Sequence, residues 1–304
     1  MAPGYKFVDA DLLFYDKTMA FITKHRKEHP EKPFFVVFST QISHAPVLPA
    51  KEFRGKSGAG ARGDFIHELD ALTGRLLDAI KKMGIDDNTL VMFNSDNGPE
   101  TLHTFWMRED HKHDAAGGFR GMKRDRWEGG HRVPFIARWP SRIPAGKVST
   151  QMTNTTDMFA TVASVVGYEL ADHVAVDSYD MLPAMLGIQA EEKSIRPYML
   201  TQSFRSQFQI RKGNWKYLDH LGSGGNSYDR GILKEYAKPE MAPKATGQLF
   251  NLASDPGETN NLFFKEREKR EQMQELLKKL IVKGGRSAPT NRKPLGIKRI
   301  PKLN

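Results

Sequence analysis

Two continuous apolar runs, PFFVVFST (33–40) and TLVMFNSDNG (89–98), flank an amphipathic segment, FIHELDALTGRLLDAIKKMG (65–84), and this stretch decides the fold class. Unbroken apolar runs of this length are typical of strands that are covered on both faces. The segment between them has apolar residues at helical spacing, with Asp64 and Gly84 as candidate caps. The succession of strand, helix and strand predicts an α/β domain with a largely parallel sheet.

The same alternation continues on both sides of this stretch. Residues 11–29 form an amphipathic pattern that stops before Pro30, and HRVPFIARWP (131–140) predicts a third strand. DMFATVASVVG (157–167) predicts a short helix, which Thr155 or Thr156 can cap. We therefore expect one α/β core over residues 1–195, with functional groups at the carboxyl ends of its strands.

The character of the sequence changes after residue 195. Residues 196–285 contain short strand-like runs around a turn at 211–214, and they end in an amphipathic segment, REKREQMQELLKKLIVKGG (267–285). Strands followed by a helix predict a small α+β subdomain with an antiparallel sheet. We expect the basic tail, 286–304, to be disordered.

Composition narrows the possible functions. The chain has no cysteine, which excludes disulfides, thiolate metal sites and a cysteine nucleophile in this polypeptide. Its formal net charge is +10, and the stretch 283–304 holds seven basic residues and no acidic one. A solvated tail is the simplest interpretation of that stretch, and an anionic partner (a sulfated polymer, nucleic acid or anionic lipid) is the alternative.

Asp96 and Asn97 follow the second apolar run and precede Gly98. A carboxylate and an amide carbonyl are hard oxygen ligands, which suit Ca²⁺ or Mg²⁺ better than zinc. Asp-Asn-Gly is also good turn chemistry, so a simple turn that closes the strand stays open at this point.

Two further side chains are candidates for chemistry. His44 follows the first apolar run in SHAPVLP, and it is a candidate acid or hydrogen-bond donor to a leaving group. Lys123 lies in GGFRGMKRDRWEGGHRVPFIARWP (117–140), where it can bind an anionic ester oxygen, with Glu128 orienting it or supporting its loop. A solvated loop histidine and an ordinary basic loop are the alternatives.

The order of these motifs resembles the distal half of the sulfatase family, in the alkaline phosphatase superfamily. The order is an apolar run with His-x-Pro, an amphipathic helix, S-D-N-G, and then G-G-x-R-x-x-K-x-x-x-x-E-G-G-x-R-V-P with W-P. IRKGNWKYL (210–218) and LFNLASDPGETNNL (249–262) resemble that family's C-terminal subdomain. The resemblance implies a partial alkaline-phosphatase-like sheet flanked by helices, with a small C-terminal α+β subdomain.

The resemblance also implies roles for individual residues. Asp96 and Asn97 match the family's second pair of calcium ligands, His44 matches its substrate-contacting histidine, and Lys123 matches its sulfate-contacting lysine. In this family a formylglycine, made from Cys or Ser, attacks sulfur as a hydrated aldehyde, while the metal and the cationic side chains hold the sulfate oxygens. The implied activity is hydrolysis of sulfate esters, with Ca²⁺ as the expected metal rather than Mg²⁺.

The chain departs from the family pattern in its catalytic machinery. The first metal-ligand pair, the C/S-x-P-x-R nucleophile motif and the Lys and His after it normally lie upstream of the matched motifs, and none is present. Formylglycine is therefore absent from this chain, which is expected to be inactive alone. Three explanations stay open: a fragment that lacks the N-terminal half, a first half encoded separately, or a remnant that binds sulfated ligands without catalysis.

A related phosphatase, phosphodiesterase or phosphonate hydrolase is the other alternative, although Asn97 favours a single hard ion over a two-zinc site. The expected ligand is a sulfated small molecule or glycan, since His103, Trp106 and Arg108 can bind anions and stack on sugar rings. A solvated loop over 101–118 is the alternative for these three residues. We expect no nucleic-acid partner and no membrane span, and the resemblance suggests a periplasmic or extracellular location.

Overall fold

The computed structural model describes residues 6–203, 206–283 and 287–296. The helices are α1 (Ala10–Glu28), α2 (Gly60–Lys82), α3 (Thr101–His111), α4 (Glu128–His131), α5 (Met158–Val166), α6 (Leu182–Met185) and α7 (Arg267–Lys283). The strands are β1 (Val91–Asn94), β2 (Phe135–Arg138), β3 (Met199–Gln202), β4 (Phe208–Lys212), β5 (Trp215–Leu218) and β6 (Gln248–Asn251). Short 3₁₀ turns occur at Phe7–Asp9, Lys51–Phe53, Asp86–Asn88, Thr155–Asp157 and Gly231–Tyr236.

The chain divides into two compact units. Unit 1 contains Met1–Asp86 and Glu100–Ala115, and unit 2 contains Asp87–Pro99 and Ala116–Asn304. These units do not follow the expected boundary at residue 195, so the division into residues 1–195 and 196–285 stays a prediction.

Unit 1 confirms the two long helices that hydrophobic periodicity predicts, as α1 and α2. Phe65 and Leu72 of α2 pack with Ile42 in a small core. Asp64 does not cap α2, which starts earlier, at Gly60. Its carboxylate instead accepts hydrogen bonds from the backbone amides of residues 55–57, which precede the helix.

The strand expected at residues 33–40 is absent, and this part of the prediction is wrong. No described segment pairs with this run, so it carries no regular secondary structure. Phe34, Val36 and Phe38 are half-buried, whereas Phe35 and Val37 are 68% and 74% exposed. The alternation fits an extended chain with one covered face, and a strand needs a hydrogen-bonding neighbour as well as apolar side chains.

A solvated loop over residues 101–118, the alternative for His103, Trp106 and Arg108, is wrong over most of its length, because Thr101–His111 forms α3. The Glu100 side chain accepts a hydrogen bond from the Thr101 amide at the start of this helix, at 2.9 Å. The helix ends at Lys112, which has a left-handed backbone with φ of 54°. Most residues of α3 are polar, so apolar periodicity does not predict this helix.

Unit 2 begins with β1, which pairs with β2 in antiparallel register, Val91 opposite Arg138 and Asn94 opposite Phe135. The expectation of a largely parallel sheet is therefore wrong for these two strands. The physical reason is local: the Gly98 amide donates to the Gly130 carbonyl at 2.9 Å, so the chain between the strands closes back on itself. The second strand then runs back along the first.

The small antiparallel sheet predicted after residue 196 is confirmed, with strand order β3-β4-β5-β6. Lys212 pairs with Trp215 around the two-residue turn Gly213-Asn214. α7 packs on this sheet through buried Met273 and Leu277, with Leu276 and Leu280 partly buried beside them.

The expected disorder of the basic tail does not hold for residues 287–296. The Ala288 amide donates to the Val176 carbonyl at 2.8 Å, and the Gly296 amide donates to the Ser164 carbonyl at 2.7 Å. The guanidinium of Arg292 donates to main-chain carbonyls between residues 171 and 178. The rest of the tail lies outside the described residues. Over the part of the chain that the structure covers, no helix combines the length and the apolar character needed to cross a membrane.

Candidate functional site

Asp96 and Asn97 lie in a bend directly after β1, where Asp96 is exposed and Asn97 is half-buried. The Asn97 side-chain amide donates to the Gly98 carbonyl at 3.0 Å, and the Ser95 hydroxyl is 3.5 Å from Asp96 Oδ1. Among the described residues, no donor reaches Asp96 Oδ2 or the side-chain carbonyl of Asn97. Two hard oxygens are therefore available to a ligand.

The bend is joined to the segment 117–131 by two main-chain hydrogen bonds. The Gly98 amide donates to the Gly130 carbonyl, and the Lys123 amide donates to the Pro99 carbonyl, each at 2.9 Å. A Cβ at position 98 would lie only 1.9 Å from the Gly129 carbonyl oxygen, so a larger residue cannot occupy this position without moving the backbone. The main chain of Lys123 consequently lies beside the Asp96–Asn97 bend.

A buried cluster of charges supports the far end of that segment. Glu128 and Lys216 are almost fully buried, and the Lys216 ammonium lies 2.9 Å from Glu128 Oε1. The same ammonium lies 2.8 Å from Glu258 Oε1, while Glu258 Oε2 accepts the Glu128 amide at 2.6 Å. Arg211 adds a longer contact, 3.5 Å, to Glu128 Oε2. Glu128 therefore supports its turn rather than orienting Lys123 directly.

The cluster fixes the protonation of its members. Burial raises the pKa of Glu128, but the charge and hydrogen bond of Lys216, with smaller contributions from His131 and Arg211, outweigh it and bring the pKa to about 2. Burial also raises the pKa of Glu258, which Lys216 opposes and the Glu128 charge reinforces. Burial lowers the pKa of His131 to about 3, and the charge of Lys216 acts in the same direction. At neutral pH, Glu128 is ionised and His131 is neutral.

Lys123 sits in a turn that the later sequence also contacts. Its side chain is half-buried, and its main-chain carbonyl accepts a hydrogen bond from Asn226 Nδ2 at 2.8 Å. The neighbouring Asp125 is fully buried and accepts hydrogen bonds from the Asn226 amide and from the Tyr228 hydroxyl. The turn is thus held by residues about a hundred positions away in sequence.

His44 and His103 lie in unit 1. His44 is exposed, and its Nδ1 is 2.8 Å from the Ala45 carbonyl, which leaves Nε2 without a partner among the described residues. Burial lowers the pKa of His103, and the nearby charge of Arg62 adds to this effect, as does His44 to a smaller degree. His103 and Trp106 pack edge to face, with ring centroids 5.5 Å apart.

Arg108 does not share the face of α3 that carries His103 and Trp106. It lies five residues from His103, which is about 140° around a helix. Its guanidinium forms an ion pair with Asp114, at 2.6 Å. The structure therefore places the predicted residues in two sets: Asp96, Asn97 and Lys123 come together in unit 2, and His44 and His103 come together in unit 1.

Sequence reasoning missed several residues around these sets. Arg62 is buried and donates to the main chain and the hydroxyl of Ser43, next to His44. Asp125 lies in the Lys123 segment and binds residues about a hundred positions away, and Lys216 and Glu258 support the segment from a distance along the chain. Lys216 and Glu258 did lie in the stretches that carried the family resemblance, but their burial depends on contacts that a single sequence does not display.

Comparison with known proteins gives a consistent family. A family model described as Sulfatase matches residues 6–168. The N-acetylgalactosamine-6-O-sulfatase of Bacteroides thetaiotaomicron is 32% identical over 276 residues, which are 90% of this chain and 51% of that protein. Human arylsulfatase A is 31% identical over 243 residues, which are 77% of this chain and 45% of that protein.

A solved structure agrees with these relatives. A protein described in connection with the metabolism of multiple glycosaminoglycans by Bacteroides thetaiotaomicron superposes with a TM-score of 0.76 at 31% identity. The match covers 90% of this chain and 55% of that one. The chain spans about half the length of the curated relatives it matches. Since the family model also covers more than half of the sequence and includes the bend after β1 and the Lys123 segment, the chain belongs to the sulfatase family.

Proposed function

We propose that this chain forms one half of a sulfate-ester hydrolase site, in which Asp96 and Asn97 bind Ca²⁺, Lys123 contacts the sulfate and His44 contacts the leaving group. The observation that supports this most is the hydrogen bond between the Lys123 amide and the Pro99 carbonyl, at 2.9 Å. It joins the segment with the cationic residue to the bend with the oxygen ligands. A sulfate bound there would contact the Lys123 cation and the metal held by Asp96 and Asn97, on two segments that main-chain hydrogen bonds join.

The donor set fits a hard divalent cation but does not complete its coordination. Ca²⁺ takes roughly six to eight oxygen ligands, and Asp96 and Asn97 supply a carboxylate and an amide oxygen. Within the described ranges, no group of three or more His, Cys, Asp or Glu residues could hold a metal. When bound, the cation withdraws charge from the sulfate oxygens. The remaining ligands have to be water molecules or residues equivalent to those in the half of the relatives that this chain does not match.

The chain's own residues have separable tasks in this proposal. Lys123 balances the charge of the sulfate, which grows on the bridging oxygen as the ester bond breaks. His44 has Nδ1 beside the Ala45 carbonyl, so Nε2 can hold or deliver the proton that the leaving oxygen needs. The nucleophile is outside this set, because the chain has no cysteine and no serine in the formylglycine motif.

The proposed substrate class is a sulfated glycan. The relatives named above include an N-acetylgalactosamine-6-O-sulfatase, and this name motivates 6-sulfated N-acetylgalactosamine as the first substrate to test. His103 and Trp106 offer an imidazole and a half-exposed indole on one face of α3, a combination that suits a sugar ring with an anionic group.

The test is to assay the 304-residue chain beside a form that also contains the unmatched sulfatase half, with an activated aryl sulfate and N-acetylgalactosamine 6-sulfate in the presence of Ca²⁺. We expect turnover only in the complete form. Asp96→Ala should reduce kcat/KM by at least about a hundredfold, because metal ligands stabilise the developing charge. Asp110→Ala is the matched control, since Asp110 is exposed on α3 and should leave the rate unchanged.

Two outcomes would contradict this proposal. Turnover by the short chain that Asp96→Ala abolishes would require a nucleophile within these 304 residues. Equal activity of Asp96→Ala and Asp110→Ala in the complete form would remove Asp96 from the metal site.

A further inference from the structure

The turn that carries Lys123 has an unfavourable backbone. Arg124, the next residue, has φ of 85°, a conformation that costs a residue with a side chain roughly 1 kcal/mol or more. A turn of this kind persists only where surrounding contacts determine it. Those contacts come from residues 223–228, SGGNSY, which follow β5 in sequence.

Asp125 is the centre of the contacts. Its carboxylate is fully buried and accepts the Met122 amide at 2.9 Å within the turn. From residues 223–228 it accepts the Asn226 amide at 2.8 Å, the Asn226 side-chain amide at 2.9 Å and the Tyr228 hydroxyl at 2.5 Å. Three of these four hydrogen bonds come from residues 223–228, so one buried carboxylate joins the two segments.

The main chain of the turn is contacted directly as well. Asn226 Nδ2 donates to the Lys123 carbonyl at 2.8 Å, and the Arg126 amide donates to the Ser223 carbonyl at 2.7 Å. Gly225 lies so close that a Cβ there would be 2.3 Å from the Arg124 carbonyl oxygen. With its amide bound to Pro99 and its carbonyl bound to Asn226, Lys123 is fixed on both sides.

We propose that residues 223–228 are a positioning element for Lys123, with Asn226 and Tyr228 acting through Asp125 and the Lys123 carbonyl. The inference rests on the proposed function, because it assigns the position of Lys123 a role in sulfate binding. Small displacements of a charged group at such a site weaken binding and catalysis, so the turn needs an external support. Residues 223–228 act through their contacts with the turn, so we assign them a positioning role rather than a catalytic one.

The experiment compares Asn226→Ala, Tyr228→Phe, Lys123→Ala and the double variant Asn226→Ala/Lys123→Ala in the 304-residue chain. Hydrogen exchange of the amides of residues 122–126 reports the turn, and titration with inorganic sulfate in the presence of Ca²⁺ reports the site. Tyr168→Phe is the control, because the Tyr168 side chain is 65% exposed. Tyr228→Phe removes one hydroxyl and is the variant least able to prevent folding.

We expect Asn226→Ala and Tyr228→Phe to speed exchange of the turn and to weaken sulfate binding. Tyr228→Phe removes one hydrogen bond and should weaken binding about fivefold, and Asn226→Ala removes two and should weaken it by at least as much. In the Lys123→Ala background, Asn226→Ala should weaken sulfate binding no further, because it acts through Lys123. Faster exchange with unchanged sulfate affinity would overturn the positioning role, and so would an additive loss in the double variant.

Failure of the proposed function gives a different result. If Lys123→Ala leaves sulfate affinity unchanged, Lys123 is not a sulfate contact and the positioning role falls with it. The exchange data then still report whether residues 223–228 hold the turn. If residues 223–228 only stabilise the fold, Asn226→Ala should speed unfolding equally with and without Lys123 and should leave sulfate affinity unchanged.

Discussion

The two apolar runs that decide the fold class have different outcomes. Residues 91–94 form β1 and pair with β2 over four positions, whereas residues 33–40 find no partner among the described residues. Val91 is half-buried, and Val37 is 74% exposed. An apolar run thus indicates that its side chains tend to be buried. Whether the run forms a strand depends on a neighbouring strand with which its backbone can pair.

The polar residues that follow the two runs differ in the same way. After β1, two main-chain hydrogen bonds hold residues 98 and 99 against the Lys123 segment. After residue 40, the chain is held by hydrogen bonds from individual side chains instead. The Asp11 carboxylate accepts the Gln41 amide at 2.6 Å, and Arg62 donates to Ser43. The bend after β1 should therefore tolerate fewer substitutions than the segment that carries His44.

The largest expected effect is at Gly98. Gly98→Ala places a Cβ 1.9 Å from the Gly129 carbonyl oxygen, so the bend and the Lys123 segment have to separate. We expect the free energy of unfolding to fall by more than about 4 kcal/mol, or the cooperative transition to disappear. Urea titration followed by circular dichroism measures this.

Gly74→Ala is the control for that substitution, because a Cβ on this residue of α2 would meet no atom within 4 Å. It should raise stability by roughly 0.5–1 kcal/mol through helix propensity. Equal effects of the two changes would mean that the close approach at Gly98 is not needed for folding.

A somewhat smaller loss is expected from Lys216→Met. It leaves Glu128 and Glu258 buried together without their shared ammonium, which should cost about 3–5 kcal/mol. The comparison is Arg75→Met in unit 1, which breaks an ion pair with Glu52 whose side chains are 46% and 52% exposed. That pair should contribute no more than about 1 kcal/mol. If Lys216→Met combined with Glu258→Gln is no more stable than Lys216→Met alone, repulsion between the two carboxylates is not the cause.

The third prediction concerns pH. The folded chain holds His131 at a pKa of about 3, below the ordinary 6.5, so folding favours the neutral ring. This contribution is fully present above pH 6.5 and is lost as pH falls from 6.5 toward 3, at up to about 1.4 kcal/mol per pH unit. Glu128, with a folded pKa of about 2 against 4.5, adds a loss of the same sign below pH 4.5.

Glu258 changes the free energy of unfolding in the opposite direction. Its raised pKa means that the folded state favours the protonated carboxyl, so this group adds stability as pH falls. This contribution begins above pH 4.5, where His131 also changes its charge, so the His131 contribution between pH 6.5 and 4.5 is the difference between variants. Unfolding measured across this window should show a flatter slope for His131→Asn than for the unmodified chain. His173→Asn, at an exposed position, should leave the slope unchanged, and a slope that both variants share would remove His131 as its source.

The sequence predicted elements better than it predicted their partners. Apolar periodicity located α1, α2, α7 and the hairpin around Gly213-Asn214, because those patterns are local. It missed α3, whose residues are mostly polar, and it assigned a parallel sheet where the hydrogen bond between Gly98 and Gly130 makes β2 run back along β1. For the site, motif order identified Asp96, Asn97 and Lys123 as candidates. Their supports Asp125, Lys216 and Glu258 depend on contacts between segments about a hundred residues apart, which one sequence does not record.

The smallest expected effect is at the unpaired run. Val37→Ser removes an apolar side chain that is already 74% exposed, so the free energy of unfolding should change by no more than about 0.5 kcal/mol. Leu72→Ala, in the same unit and fully buried against Phe65, should cost about 2–5 kcal/mol. Urea midpoints for the two variants give the contrast directly. A large loss of stability for Val37→Ser would show that the side chains on the outer face of residues 33–40 are buried in solution. The two runs would then differ in backbone pairing and not in burial.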